Sequence, residues 1–383
     1  MQLPVPIFRL SKSSFYFPNQ TVGSFESHRI KHTPKFQLAA ESFIKVSTVG
    51  PNSLKPTKTF HSYPPRALNM SQQSEKVPDT EGSDGETEVQ QLTPHDQWDW
   101  NSRHHWKHWH GLWSMWQPTE SPQIAKIYKS VRSLWPVDKD RVHLYHRNQW
   151  YESSGEGPDI NWEGGPWAMY EFKHSLQDGI WHPNSIDHRI IQFPNGDLGW
   201  VQLALKPNDP KSVVFNEMHF MASPDARAPV ILGYDFEGKM GVALMLEETR
   251  ENDKRPEPSW QGTIWKHHRA PLEESRSEPE GTFVGTEMSI NRHLEMSSRR
   301  AVWKGFRGGL SEEDERAMDC KYILVQLPYG FTVFAPLEAA IGKAHAYYVS
   351  WVVNENKVRV ISTRYFADGR LQYVKSGTYD KSA

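Results

Sequence analysis

A single cysteine, Cys320, stands among 383 residues, which excludes an intrachain disulfide framework and any cysteine-rich zinc or iron–sulfur module. Long apolar runs are missing too. Residues 230–234 and 241–246 are the most apolar stretches and are only strand-length, far short of the ~20 residues that carry a helix across a bilayer. No integral membrane segment is expected. Phosphate cradles and nucleophile elbows are also absent: Gly164-Gly165 and Gly308-Gly309 are isolated pairs, with neither a Gly-x-Gly-x-x-Gly context nor a Gly-x-Ser-x-Gly turn around them.

Negative charge is scarce at the start of the chain. Through residue 69 the acids are Glu26 and Glu41, against Arg9, Lys12, Arg29, Lys31, Lys35, Lys45, Lys55, Lys58 and Arg66. Ser and Thr are frequent and no apolar core of secretory type succeeds the first charges, so residues 1–69 read as a transit peptide, for a plastid rather than a mitochondrion. Without them the chain keeps 35 basic and 44 acidic residues, a formal charge of −9. That balance disfavours a nucleic-acid partner. Glu75, Asp79, Glu81, Asp84, Glu86 and Glu88 then sit among Ser, Gln, Gly and Thr, so residues 70–94 are expected to be a disordered acidic linker.

From residue 95 onward the chain is rich in aromatics, with twelve of the sixteen tryptophans between Trp98 and Trp200, so a large core begins here. Trp98, Trp106 and Trp109 are spaced for a short helix, with Asn101 or Ser102 as its N-cap. Beyond it the period falls to two, around residues 141–146 and 200–205, which means strand. Further strands are expected over 168–173, 188–193, 213–221, 229–234 and 239–246, with hairpins at 194–197 and 236–239, where Gly supplies positive φ. A charged stretch over 247–258, carrying Pro256 and Pro258, separates this set from a second. The second set is expected over 282–290, 300–306, 321–326, 331–336, 345–353, 357–365 and 371–374, with turns at 354–356 and 367–370. Many short strands without intervening helices predict an all-β fold of two tandem antiparallel barrels. Their bounds are 95–256 and 257–376, with a tail at 377–383.

Candidate chemistry is sparse. His104, His105, His108 and His110 are numerous enough for a metal site, but lack a ligand-spaced carboxylate and share their segment with four tryptophans, so stacked histidines in an aromatic interface are expected. His267-His268 reads as surface. Cys320 has no locatable base. Glu171 and Glu217 are expected on neighbouring strands, facing water. No catalytic, cofactor or metal residues are assigned, and no enzyme activity is expected.

The opening Trp109-His110-Gly111-Leu112-Trp113 is echoed by Trp260-Gln261-Gly262-Thr263-Ile264-Trp265. Such a Gly-x-Trp element suits barrel closure, because glycine lets chains pass closely and the indole N–H finds a backbone acceptor. Together with the run Leu327-Pro328-Tyr329-Gly330-Phe331 through Pro336, and with Trp351 and Arg364-Tyr365, it resembles a plant and cyanobacterial family of double lipocalin-like barrels, the chloroplast "biogenesis factor required for ATP synthase" family. The structural signature residues are Trp109, Gly111, Trp113, Trp260, Gly262, Trp265, Pro328, Gly330, Arg364 and Tyr365. The resemblance implies a stromal, non-catalytic assembly factor that brings together subunits of the chloroplast ATP synthase head, CF1, chiefly β and γ. It carries no residue-level contact with them. The loops at 151–161 and 267–281 exceed hairpin length and are expected to serve as contact surfaces. The competing reading is a carrier or lyase holding a tetrapyrrole or another apolar ligand in a barrel calyx.

Overall fold

The computed structural model describes residues 89–119, 122–152, 168–176, 180–182, 185–205, 214–234, 238, 240–249, 279–306, 320–338 and 342–382. The expected transit peptide, most of both long loops, most of the charged stretch at 247–258 and the signature residues Trp260, Gly262 and Trp265 lie outside them.

The fold is all-β, two tandem antiparallel lipocalin-like barrels with one short N-terminal helix. In chain order the elements are β1 (Val89–Gln91), α1 (Pro94–His105), β2 (His108–Trp116), β3 (Ile124–Pro136), β4 (His143–Glu152), β5 (Ala168–Ser175), β6 (Trp181–His182), β7 (Ser185–Gln192), β8 (Leu198–Gln202), β9 (Val214–Ser223), β10 (Ala226–Tyr234) and β11 (Met240–Thr249). They continue as β12 (Phe283–Asn291), β13 (Glu295–Trp303), β14 (Tyr322–Gln326), β15 (Phe331–Pro336), β16 (His345–Asn354), β17 (Lys357–Tyr365) and β18 (Leu371–Lys381). The first sheet runs β5-β4-β3-β2-β11-β10-β9-β8-β7-β6, and its end strands β5 and β6 approach each other. The second runs β1-β13-β12-β18-β17-β16-β15-β14.

The structure corrects several expectations. The helix starts earlier than its tryptophans suggest: Thr93, not Asn101 or Ser102, is the N-cap, and its hydroxyl accepts from the Asp96 N–H while the Asp96 carboxylate accepts from the Thr93 N–H. This reciprocal capping box, with Pro94 at the first turn, outweighs the aromatic spacing. The helix ends at His105, so Trp109 lies on β2 and His104 and His108 share no helical face. β1, inside the expected linker, pairs with β13. β18 runs to Lys381, through most of the expected tail, because it pairs with β12 from Tyr373 to Lys381. β3 is a strand that the period-two pattern does not mark. Its sequence, IAKIYKSVRSLWP, mixes apolar and basic residues, and a buried ion pair takes the place of an apolar contact.

The two sheets pack face to face through one shared core. Met218, Phe220, Val230, Leu232, Tyr234, Val242 and Leu244 of the first meet Phe331, Val333, Tyr347, Val349, Trp351, Ile361 and Tyr365 of the second. This explains why β10, ARAPVILGY, is buried at every position: one face meets the second sheet and the other faces the first barrel's interior. Hydrogen bonds cross the seam as well. The Tyr234 hydroxyl donates to the Pro336 carbonyl at 2.5 Å, and that of Tyr365 to the Gln202 carbonyl at 3.0 Å. The Leu205 N–H donates to Gly369 O and the Leu371 N–H to Leu203 O, both at 2.8 Å. Tyr365 thus ties the sheets together, while the neighbouring Arg364 points to the other face and reaches the Tyr373 hydroxyl.

Pro328 and Gly330 belong to a tight hairpin. Tyr329 and Gly330 have φ of 62° and 82°, and the Phe331 N–H returns to the Pro328 carbonyl. Two successive positive φ values make the turn whose twist matches paired strands. A Cβ on Gly330 would come within 2.8 Å of the Val352 carbonyl oxygen.

Candidate functional site

The interior of the first barrel holds charge where its neighbours are apolar. Period-two alternation turns Trp109, Gly111 and Trp113 of β2 inward, beside Arg132 of β3, Glu217 and His219 of β9, Arg227 of β10 and Glu247 of β11. All five charged or titratable side chains are at most 5% exposed. Arg132 Nη1 donates to Glu217 Oε1 at 2.6 Å and its Nε lies 3.7 Å from Glu247 Oε1. Arg227 Nε donates to Glu247 Oε2 at 2.5 Å. His219 Nε2 lies 2.6 Å from Glu217 Oε1, which places its proton on Nε2 and leaves Nδ1 as an acceptor.

The helix supplies the lid. Gln97 meets the backbone of β7 in both directions, donating to Gln192 O at 2.9 Å and accepting from Gln192 N at 2.7 Å. That docking carries His105 into the barrel. There Arg227 Nη1 donates to His105 Nδ1 at 2.8 Å and His105 Nε2 donates to Gly196 O at 2.9 Å.

The signature on β2 accommodates this network. The Arg227 guanidinium stacks over the Trp109 ring, 4.2 Å from its centre, and that of Arg132 lies 5.6 Å from the Trp113 ring. Between them Gly111 faces Ser130 and Glu247 in register. A Cβ there would approach Ser130 Oγ at 2.7 Å and Glu247 Cγ at 2.9 Å. The Trp109 indole N–H donates to the His105 carbonyl at 3.0 Å.

Burial sets the protonation states. It drives His105 well below the ordinary histidine value, and the nearby Arg227 cation adds to the shift. Burial lowers His219 as well, against the pull of Glu217. Burial opposes ionisation of Glu217, yet Arg132 and His219 outweigh it and hold the carboxyl far below its usual range. Arg227 falls to about 10 through burial and remains a cation at neutral pH. Two guanidinium cations therefore face two carboxylates, with the histidines neutral.

Beside the network lies a cavity of about 30 Å³, whose lining combines the polar Asn101, His105, Arg132, His146, His219 and Arg227 with the apolar Leu134, Leu144, Ile180, Ile190, Leu198 and Trp200. Arg227 Nη2 and His219 Nδ1 are buried without a hydrogen-bond partner among the described residues.

Of the signature residues, Trp109, Gly111 and Trp113 meet at this site, whereas Pro328 and Gly330 form the hairpin turn and Arg364 and Tyr365 sit on the second sheet. Glu217 corrects an expectation. It does not face water, and β9 is not a neighbour of β5, which carries Glu171. Among the histidines, His104 reaches the Pro194 carbonyl, His108 lies 6.2 Å from the Trp135 ring and His105 lies 6.5 Å from that of Trp109. Among the described residues no three His, Cys, Asp or Glu side chains converge as a metal site. Arg132, Arg227 and Glu247 do not stand out in the sequence. Each is simply a charge at an inward position of its strand, which nothing in the local sequence sets apart from an outward one.

Comparison with known proteins agrees with this architecture. Residues 95–253 match the family described as "Domain of unknown function (DUF3598), N-terminal". No curated protein sequence matches the chain. The structure is similar to that of a DUF3598 protein of unknown function from Nostoc punctiforme, with a TM-score of 0.52 and 15% identity over 75% of this chain and 99% of that one. An S-type phycobiliprotein lyase from Guillardia theta aligns with a TM-score of 0.27 and 12% identity, over 42% of this chain and 94% of that one. The first likeness shows the fold, and the DUF3598 N-terminal match spans the first barrel, which holds the ion network.

Proposed function

We propose that this chain is a non-catalytic assembly factor of the chloroplast stroma that binds unassembled CF1 subunits, β and γ, through the outer surfaces of its two barrels. The sequence signature supports the family. The observation that carries the surface reading is the buried ion network that occupies the first barrel's interior among the described residues. A calyx for a drug-sized or larger ligand takes about 300–1,000 Å³, whereas the cavity that the described residues form beside the ion network holds about 30 Å³. On the second sheet, the face turned away from the first carries rings packed on one another: Phe283 on Trp303, Trp303 on Phe306, and Phe306 on Phe334 and Tyr348. Two sheets joined by one core make a rigid frame for holding clients, and the acidic balance of the chain suits basic surfaces on them.

The test is an affinity pull-down from stromal extract with the chain lacking residues 1–69, with mass spectrometry of the eluted proteins and absorbance on the same eluate. Enrichment of CF1 β and γ without a chromophore is expected. A stoichiometric pigment without CF1 subunits would replace this reading with that of a carrier or lyase.

A further inference from the structure

The cavity beside the ion network is too small for a pigment, yet its chemistry is not that of a packing defect. Apolar voids are lined by apolar atoms; this one is lined in part by Arg227 and His219, whose Nη2 N–H and Nδ1 lone pair are both buried and both without a partner among the described residues. Each is held by bonds its other atoms make. Arg227 is fixed by Glu247 and His105, and His219 by Glu217. The same lining includes Leu134, Leu144, Ile180 and Ile190, which offer only hydrocarbon side chains.

A guest that satisfies both orphans must accept a hydrogen bond from a cation and donate one to a neutral nitrogen. It must also bring no net charge, because Arg132 and Arg227 already balance Glu217 and Glu247. A carboxyl group with its proton does all three. One oxygen accepts from Arg227 Nη2, the charge-assisted pairing for which guanidinium is best shaped, and the other shares its proton with His219 Nδ1. Its alkyl group faces the leucine and isoleucine side chains. The volume is that of about two or three water-sized probes, which one formic or acetic acid molecule, its atoms bonded and overlapping, fills. We propose that the first-barrel cavity binds a small monocarboxylic acid of formic or acetic acid size, taken up together with one proton.

Such an acid is ionised in solution at neutral pH, so binding draws a proton from water and affinity weakens about tenfold for each pH unit above the pKa of the acid. The groups facing His219 do not cancel this dependence. Glu217 on its own strand, Arg132 on β3, Arg227 on β10 and Glu247 on β11 stay paired with one another, while His105 from α1 keeps both ring nitrogens engaged. His146 of β4 is bonded to Asn148.

The experiment titrates the full chain with sodium acetate at pH 5.5, 6.5 and 7.5, with sodium chloride as the ionic-strength control. Tryptophan fluorescence and calorimetry in two buffers of different ionisation enthalpy are the readouts. Saturable 1:1 binding is expected, absent with chloride, weakening about tenfold per pH unit and absorbing one proton per acetate. His219→Asn, which removes the acceptor, and Leu144→Phe, which takes up cavity volume, are each expected to weaken binding at least tenfold. The proton count on the unsubstituted chain decides independently if either variant fails to fold. No saturable acetate signal, an equal response to chloride, or binding without proton uptake would overturn the proposal and leave the cavity to water.

Discussion

The Arg227 guanidinium lies 4.2 Å from the centre of the Trp109 ring while its Nε bonds Glu247 and its Nη1 bonds His105. One buried cation thus joins β2, β10, β11 and the helix. Removing a single partner from such a network leaves a buried charge uncompensated, whereas replacing both by apolar groups removes the problem with the pair. Arg227→Met is therefore expected to cost about 3–5 kcal/mol. The double variant Arg227→Met with Glu247→Leu should cost less than the sum of the two single changes. Urea unfolding followed by circular dichroism measures all three; simple additivity would show that the pair is not coupled.

Gly111 and Gly285 test two kinds of close approach. At Gly111 an added Cβ meets the Ser130 hydroxyl and the Glu247 side chain, which have some freedom to shift. At Gly285 it would lie 1.9 Å from the Thr378 carbonyl oxygen, on the paired strand β18. Gly111→Ala should cost about 1–3 kcal/mol as an overpacked core position, and Gly285→Ala should cost more because the backbone itself must move. Thermal melts of the two variants rank them, and an equal or reversed order would contradict the geometry.

The sheets are legible in the sequence because their signal is local. Short apolar and β-branched runs over β15, β16 and β17, bounded by the turns at 354–356 and 367–370, predict bounds close to those observed. The ion network is not legible, because which charges meet depends on register between strands far apart in the chain: Arg132 and Glu217 are 85 residues apart. Glu217 on its own reads as a solvent-facing carboxylate. Only the barrel's closure, with the second sheet covering the other face of β9, turns that position inward. The start of the helix is obscured because tryptophan spacing competes with the capping box at Thr93 and Asp96, and the hydrogen-bonded cap prevails.

The histidines of the site make stability depend on pH. His105 and His219 have folded values below the unfolded value of about 6.5, so below that pH the unfolded chain binds more protons than the folded one. Their contribution is complete above about 6.5 and is lost as pH falls toward the folded values, by up to about 1.4 kcal/mol per pH unit for each group. Glu217, with its carboxyl held low, adds a loss that begins near 4.5 and continues downward. The midpoint of thermal unfolding should therefore drop between pH 7 and pH 5. His105→Gln should flatten that slope, since glutamine does not titrate; an unchanged slope would mean that His105 is not the group responsible.

Asp197 ties the first sheet to the second. It is fully buried, accepts from the Met221 N–H at 3.1 Å within its own sheet, and pairs with Arg359 and with the Ser376 hydroxyl of the other. Nearby, Phe220 meets Phe331 and Trp351 at ring separations of 5.7 and 6.2 Å, and Tyr234 meets Tyr347 at 5.8 Å. Two barrels linked by a polar interface of ordinary size would be expected to melt separately. A shared apolar core makes either sheet expose much of its buried surface once the other is lost. The chain should therefore unfold in a single calorimetric transition, with calorimetric and van't Hoff enthalpies equal. Asp197→Ala, which strands Arg359 at the seam, should destabilise the chain by about 3 kcal/mol without splitting that transition. Two resolved transitions in the unsubstituted chain would show that the seam between the sheets is weaker than its packing implies.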